Sequence, residues 1–102
     1  MNPKPHSSHT ARQEVQVTAS EYQFSSEQIE VSVHDEVTFN LVNQGTDEHY
    51  FNIKGRDDAL HALPGHSDSR TFVFNEPGLF EAVCTLPGHQ AAGMITTILV
   101  TE

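Results

Sequence analysis

The residues of this chain best suited to chemistry lie in one short segment near its C-terminal end. Cys84, His89 and Met94 fall within eleven residues and supply a thiolate, an imidazole and a thioether. Sulfur ligands combined with imidazole favour copper, and a trigonal copper site needs a second histidine beside one cysteine and a weak axial methionine. His49 is the candidate, because it follows a glycine-containing loop at the start of a predicted strand. These four residues predict a site for one Cu(I)/Cu(II) ion.

Each of these donors also has an alternative interpretation. Cys84 alone would be a buried inert thiol, Met94 alone would fill the core, and His89 alone would be a solvated loop residue. Gln90 or a backbone oxygen could take the axial position, and zinc could replace copper, although divalent affinity favours copper. A hydrolase with Cys84 as nucleophile and His89 as base is disfavoured, because Cys84 ends a predicted strand instead of beginning a helix. Four protein ligands leave no open position for a substrate, so no enzymatic activity is expected.

The elements that must position these residues are strands. Apolar residues alternate with polar ones at a period of two from residue 14 onward, as in half-buried strands. The predicted strands are 13–20, 28–33, 36–43, 48–53, 69–74, 79–84 and 95–101. They indicate an all-β fold, a two-sheet antiparallel Greek-key sandwich of about seven to eight strands. Residues 34–35 are expected to form a hairpin connection, and residues 57–63 one helical turn.

The remaining residues divide the chain into a tail and one domain. Residues 1–12 are rich in proline and serine and predict a flexible tail, and residues 13–102 form the predicted copper-binding domain. Six phenylalanines are expected in the core: Phe24, Phe39, Phe51, Phe72, Phe74 and Phe80. Five histidines are expected outside the metal site, in the tail, in a turn or in surface loops: His6, His9, His34, His61 and His66.

Three segments resemble the cupredoxins, the small blue copper proteins. They are FNLVNQGTDEHYFNI around His49, PGLFEAVC before Cys84, and CTLPGHQAAGM. The two spacings of four residues, from cysteine to histidine and from histidine to methionine, are most similar to those of the rusticyanin, auracyanin and sulfocyanin types. The resemblance implies that His49, Cys84 and His89 are equatorial ligands and Met94 the axial one. Tyr50 stands where many relatives have an asparagine that ties the ligand loops together.

The resemblance also implies a function. Cupredoxins of this kind carry single electrons between larger redox proteins, and they are typically exported, so a periplasmic or extracytoplasmic location is expected, with the signal or anchor absent from this chain. Leu86, Pro87, Ala91 and Ala92 would surround His89 as a small apolar docking patch. The alternative is a copper-binding module for storage, delivery or sensing, derived from a membrane-anchored protein. The excess of histidine, seven in all, favours that alternative.

The charge balance limits the partners. Five Lys and Arg against fourteen Asp and Glu give a net charge of −9 in 102 residues. A protein with this charge balance lacks the basic surface that nucleic-acid binding requires. It predicts a monomer and a redox partner with a basic docking surface. No apolar run of about 18 residues occurs, so no membrane span is expected in this chain.

Overall fold

Two facing β-sheets make up the part of the chain that the computed structural model describes, residues 11–56, 58–85 and 94–102. One sheet has the strand order β2-β1-β4-β7 and the other β3-β9-β8-β5-β6. The strands are β1 (Arg12–Ser20), β2 (Gln23–Phe24), β3 (Gln28–Ser32), β4 (Glu36–Asn43), β5 (His49–Ile53), β6 (Ala59–Ala62), β7 (Ser67–Val73), β8 (Gly78–Val83) and β9 (Ile95–Thr101). The predicted all-β, two-sheet sandwich is confirmed.

The directions of the strands differ from the expectation of purely antiparallel sheets. β1 pairs with β4 in parallel, and β3 pairs with β9 in parallel, so both sheets are mixed. The segment 33–35 is not a hairpin connection, because it leads from β3 in one sheet to β4 in the other. A parallel pair needs such a crossover between its strands. His34 has a φ of 68° in this turn, a conformation in which histidine is enriched among residues other than glycine.

Two of the nine strands in the described part of the chain were not predicted. The seven predicted strands all occur, with ends within two residues of those expected, and β2 and β6 are additional. The helical turn expected over 57–63 is wrong, because Ala59–Ala62 forms β6 and pairs antiparallel with β5. Leu60 and Ala62 face inward from β6 in the alternation typical of a strand. No helix among the described residues is long and apolar enough to cross a membrane.

The core lies between the two sheets and contains the predicted phenylalanines. Phe39 on β4 and Phe51 on β5 are fully buried, and their ring centroids lie 5.4 Å apart across the sandwich. Phe24 packs edge-on against Phe51 at 5.3 Å. Burying a side chain of this size contributes about 1.5–3 kcal/mol, so these ring contacts help to hold the two sheets together. Phe80 is only partly buried but packs against Phe74 at the margin of the core.

Candidate metal centre

Three of the four predicted ligands lie at one end of three neighbouring strands. His49 is the first residue of β5, Cys84 directly follows β8, and Met94 directly precedes β9. β8 lies between β5 and β9 and is antiparallel to both, so its end lies beside their beginnings. The backbone N–H of Cys84 donates to the carbonyl of Met94 at 3.2 Å. On the other side, the backbone N–H of Tyr50 donates to Cys84 Sγ at 3.4 Å.

The donor atoms of these residues are enclosed by the fold. His49, Cys84 and Met94 each have 0 % of their surface exposed, although imidazole and thiolate are polar groups. This hydrogen bond from the N–H of Tyr50 would stabilise the negative charge of a metal-bound thiolate at Cys84 Sγ. A buried imidazole, thiol and thioether form the donor set that suits copper, so these residues fit the predicted ion.

The fourth predicted ligand, His89, lies outside the described residues. The same is true of Gln90 and of the proposed docking patch, Leu86, Pro87, Ala91 and Ala92. Among residues 11–56, 58–85 and 94–102, no three His, Cys, Asp or Glu side chains form a group able to hold a metal ion.

Glu21 forms a contact with His49 that the sequence did not predict. The Nε2–H of His49 donates to Glu21 Oε2 at 2.7 Å, and the Glu21 side chain is 22 % exposed. The backbone N–H groups of Thr46 and Asp47 donate to the same carboxylate at 2.9 and 3.1 Å. These two backbone hydrogen bonds, followed by the interaction with His49, lower the pKa of Glu21 from 4.5 to about 2 against the opposing effect of desolvation. The carboxylate is therefore ionised at neutral pH and can only accept hydrogen bonds.

Asn43 holds the loop that supplies those N–H groups. Its side chain is buried and donates from Nδ2 to the carbonyls of Asp47 and Ala62, both at 2.8 Å. Its Oδ1 accepts the N–H of Gly45 at 2.8 Å. These bonds link the end of β4, the loop before His49 and the end of β6. The sequence suggested only that a strand ends at Asn43, and nothing near Glu21 in the sequence pointed to His49, which is 28 residues away.

Tyr50 contributes to the centre through its backbone. Because its N–H, and not its side chain, reaches Cys84 Sγ, an asparagine at this position is not needed for that bond. The Tyr50 ring instead stacks on His61, with centroids 4.3 Å apart. His61 was expected in a surface loop, but it lies in β6, half-buried, and its Nε2 is 2.6 Å from Glu48 Oε2. His34 and His66 are exposed outside the strands, as predicted.

Comparisons with known proteins agree with this architecture. Auracyanin B superposes with a TM-score of 0.79 at 24 % identity, covering 100 % of this chain and 94 % of its own. A reduced auracyanin from Roseiflexus castenholzii superposes with a TM-score of 0.79 at 21 % identity, and the match covers 87 % of this chain and 97 % of that auracyanin. Auracyanin A, described as a blue copper protein from Chloroflexus aurantiacus, superposes with a TM-score of 0.78 at 18 % identity. The match covers 89 % of this chain and 100 % of auracyanin A. At these identities the likeness shows a shared fold. No curated protein sequence matches the chain significantly.

The family follows from the sequence match. The cupredoxin-like domain matches residues 2–97, which is nearly the whole chain. The match agrees with the resemblance seen in the segments around His49 and Cys84, and with the two-sheet fold. The chain belongs to the cupredoxin-like domain family.

Proposed function

We propose that this protein binds one copper ion through His49, Cys84, His89 and Met94 and carries single electrons between larger redox proteins. The observation that carries the proposal is the burial of the His49, Cys84 and Met94 side chains at one end of β5, β8 and β9. Nitrogen and sulfur donors of these types, held together away from water, match the ligands that copper prefers.

The surrounding hydrogen bonds favour electron transfer over exchange of ligands. Copper would supply one-electron exchange between Cu(II) and Cu(I) in this site. Cys84 is fixed on both sides, by its own N–H to Met94 and by the N–H of Tyr50 to its sulfur. His49 is fixed by Glu21. Ligands fixed in this way change position little between oxidation states, which keeps the cost of reorganisation low.

The comparisons and the charge support the same role. Auracyanin A is described as a blue copper protein, and the Roseiflexus auracyanin was studied in a form reduced with dithionite. The net charge of −9 favours attraction to a basic surface on a redox partner and weaker association at high salt. Because cupredoxins are typically exported, we propose a periplasmic or extracytoplasmic location for the protein. We expect it to act as a monomer.

The first experiment is a titration of the purified protein with Cu(II), followed by visible absorption. One equivalent should produce an intense blue band from the bond between Cys84 and copper. Cys84→Ser should lose the band. His66→Ala is the matched control, because His66 is an exposed histidine outside the proposed ligand set, and it should keep the band. A colourless wild-type protein would contradict the proposed site.

A second measurement separates the carrier from a storage or delivery module. The copper-loaded protein is cycled at an electrode and, separately, mixed with a copper chelator. Reversible one-electron cycling with slow loss of copper is expected for a carrier. Rapid transfer of copper to the chelator without reversible cycling would favour delivery and contradict the proposed function.

A further inference from the structure

The clasp, defined as the Glu21 carboxylate with the N–H groups of Thr46 and Asp47 that hold it, connects the two sheets at the metal centre. Glu21 lies in the turn between β1 and β2 of the four-stranded sheet, whereas His49 begins β5 of the five-stranded sheet. The bond from His49 Nε2 to Glu21 Oε2, at 2.7 Å, is therefore a link between sheets made at the proposed copper ligand itself.

The clasp determines which ring nitrogen of His49 carries the proton. An ionised carboxylate offers no hydrogen to donate, so the Nε2 atom of His49 must be the donor in this bond. In a neutral imidazole the other nitrogen then holds the lone pair. A rotation of the ring by half a turn about its Cβ–Cγ bond would move Nε2 away from the carboxylate and break the hydrogen bond. The clasp thus selects both the tautomer and the orientation in which Nδ1 of His49 is the nitrogen able to bind a metal.

The clasp is built to hold its carboxylate in one place. Both carboxylate oxygens accept the N–H of Thr46, at 2.9 and 3.1 Å, and Oε2 also accepts the N–H of Asp47 at 3.1 Å. Gly45 leaves the space that the carboxylate needs, because a Cβ at residue 45 would lie 2.8 Å from Glu21 Cδ. A contact this short requires one of the two groups to move.

We propose that Glu21 is a positioning residue for His49, which fixes the ring so that Nδ1 faces the metal site and adds negative charge behind this ligand. This inference rests on the proposed function, because it gives Glu21 a role at the same copper site. Carboxylates that accept the second N–H of a metal-bound histidine typically raise metal affinity about 10- to 100-fold. They also increase the electron density of the ligand, which favours Cu(II) over Cu(I).

The test compares three alanine variants. Glu21→Ala removes the clasp carboxylate. Gly45→Ala keeps the charge of Glu21 but displaces its carboxylate through the added methyl group. Glu48→Ala is the matched control, because Glu48 also contacts a histidine Nε2, at 2.6 Å, but that histidine is His61. It also removes one negative charge from the residue next to His49.

Three measurements are made on each variant. The ¹⁵N NMR shifts of the His49 ring in the copper-free protein report the tautomer, competition with a chelator reports Cu(II) affinity, and electrochemistry reports the reduction potential. We expect wild type and Glu48→Ala to show the single tautomer protonated at Nε2. Glu21→Ala should lose this preference, bind Cu(II) about 10- to 100-fold more weakly and have a higher potential. Gly45→Ala should lose the tautomer preference with a smaller change in potential.

The outcomes separate this inference from the proposed function. If Glu21→Ala keeps the tautomer, affinity and potential of Glu48→Ala, Glu21 only closes the loop and the inference is overturned. If wild type forms no blue copper site, the proposed function fails, but the tautomer measurement on the copper-free protein still decides whether Glu21 fixes the His49 ring. A mixture of tautomers in the wild-type protein would overturn the inference by itself.

Discussion

Two histidine–glutamate pairs in this chain have nearly the same geometry and very different surroundings. His49 Nε2 lies 2.7 Å from Glu21 Oε2, and His61 Nε2 lies 2.6 Å from Glu48 Oε2. The His49 side chain is 0 % exposed and Glu21 22 %, whereas His61 is 38 % and Glu48 42 % exposed. We call them the inner pair and the outer pair.

The difference shows that distance alone does not decide what such a pair does. The inner pair is held by a loop whose backbone N–H groups bind the carboxylate, and its histidine has no access to water. In the outer pair, water competes with both partners and weakens their attraction. The inner pair can therefore fix the ring of His49, the proposed metal ligand, whereas the outer pair, with its histidine stacked on Tyr50, is partly exposed to water.

The largest effect is expected from Asn43→Ala, which removes the support of the loop in the inner pair. The change leaves the carbonyls of Asp47 and Ala62 and the N–H of Gly45 without their side-chain partner. Because Asn43 is 1 % exposed, water cannot readily replace these bonds, and the free energy of unfolding should fall by about 1–3 kcal/mol. Chemical denaturation of the copper-free protein measures this loss.

The control for Asn43→Ala is Asn40→Ala on the same strand. Asn40 accepts one hydrogen bond, from the Ser69 hydroxyl at 2.9 Å near the surface. Its removal should lower the free energy of unfolding by no more than about 1 kcal/mol. Equal losses in the two variants would show that the loop before His49 does not depend on Asn43.

A second prediction concerns acid and follows from the lowered pKa of Glu21. The pKa is about 2 in the folded protein and near 4.5 in the unfolded chain, so ionised Glu21 stabilises the fold. That contribution is fully present above about pH 4.5 and is lost as the pH falls through about 2. In copper-free protein, the difference in unfolding free energy between wild type and Glu21→Ala should therefore shrink from pH 5 to about pH 2.

The control for the acid prediction is the difference between the two proteins, in which the titrating groups that do not contact Glu21 cancel. A difference that stays constant over this pH range would show that the Glu21 carboxylate titrates normally and is not held by the loop. A difference that grows as the pH falls would have the wrong sign for a carboxylate with a lowered pKa.

The sequence predicted most of the strands and a candidate ligand set, but not the residues that hold His49 in place. The period of two locates a strand wherever one face is buried, so strands such as β4 and β9 were predicted with their observed ends. His49, Cys84 and Met94 could be proposed as ligands because their types and spacing are local features of the sequence, and the fold places all three at one end of β5, β8 and β9. Glu21 was missed because its contact with His49 depends on how the turn after β1 packs against the other sheet, which local sequence does not reveal.

The outer pair was missed for a different physical reason. The four residues of β6 are too few to distinguish a strand from a helical turn by their apolar pattern. Only pairing with β5 settles the conformation, since it places His61 opposite Tyr50. Strand direction was equally invisible, because alternation is the same in parallel and antiparallel neighbours.

The smallest effect is expected from the outer pair, measured by a double-mutant cycle with Glu48→Gln and His61→Gln. An exposed pair of this kind contributes about 0.2–1 kcal/mol to folding. The cycle removes the separate loss of the stacking between His61 and Tyr50, because that loss occurs in both variants that lack His61. Unfolding is followed in copper-free protein at about pH 5, where a histidine ordinarily carries a positive charge, at low salt and at about 1 M salt, where the screening length falls to about 3 Å.

Salt is the decisive variable for this cycle. If the outer pair is surrounded by water, the coupling energy between Glu48 and His61 should shrink at high salt, as expected for charges exposed to water. A coupling above about 2 kcal/mol that resists salt would instead be typical of an enclosed pair. The outer pair would then stabilise β5 from the side opposite Glu21, and the contrast between the two pairs would be one of position and not of strength.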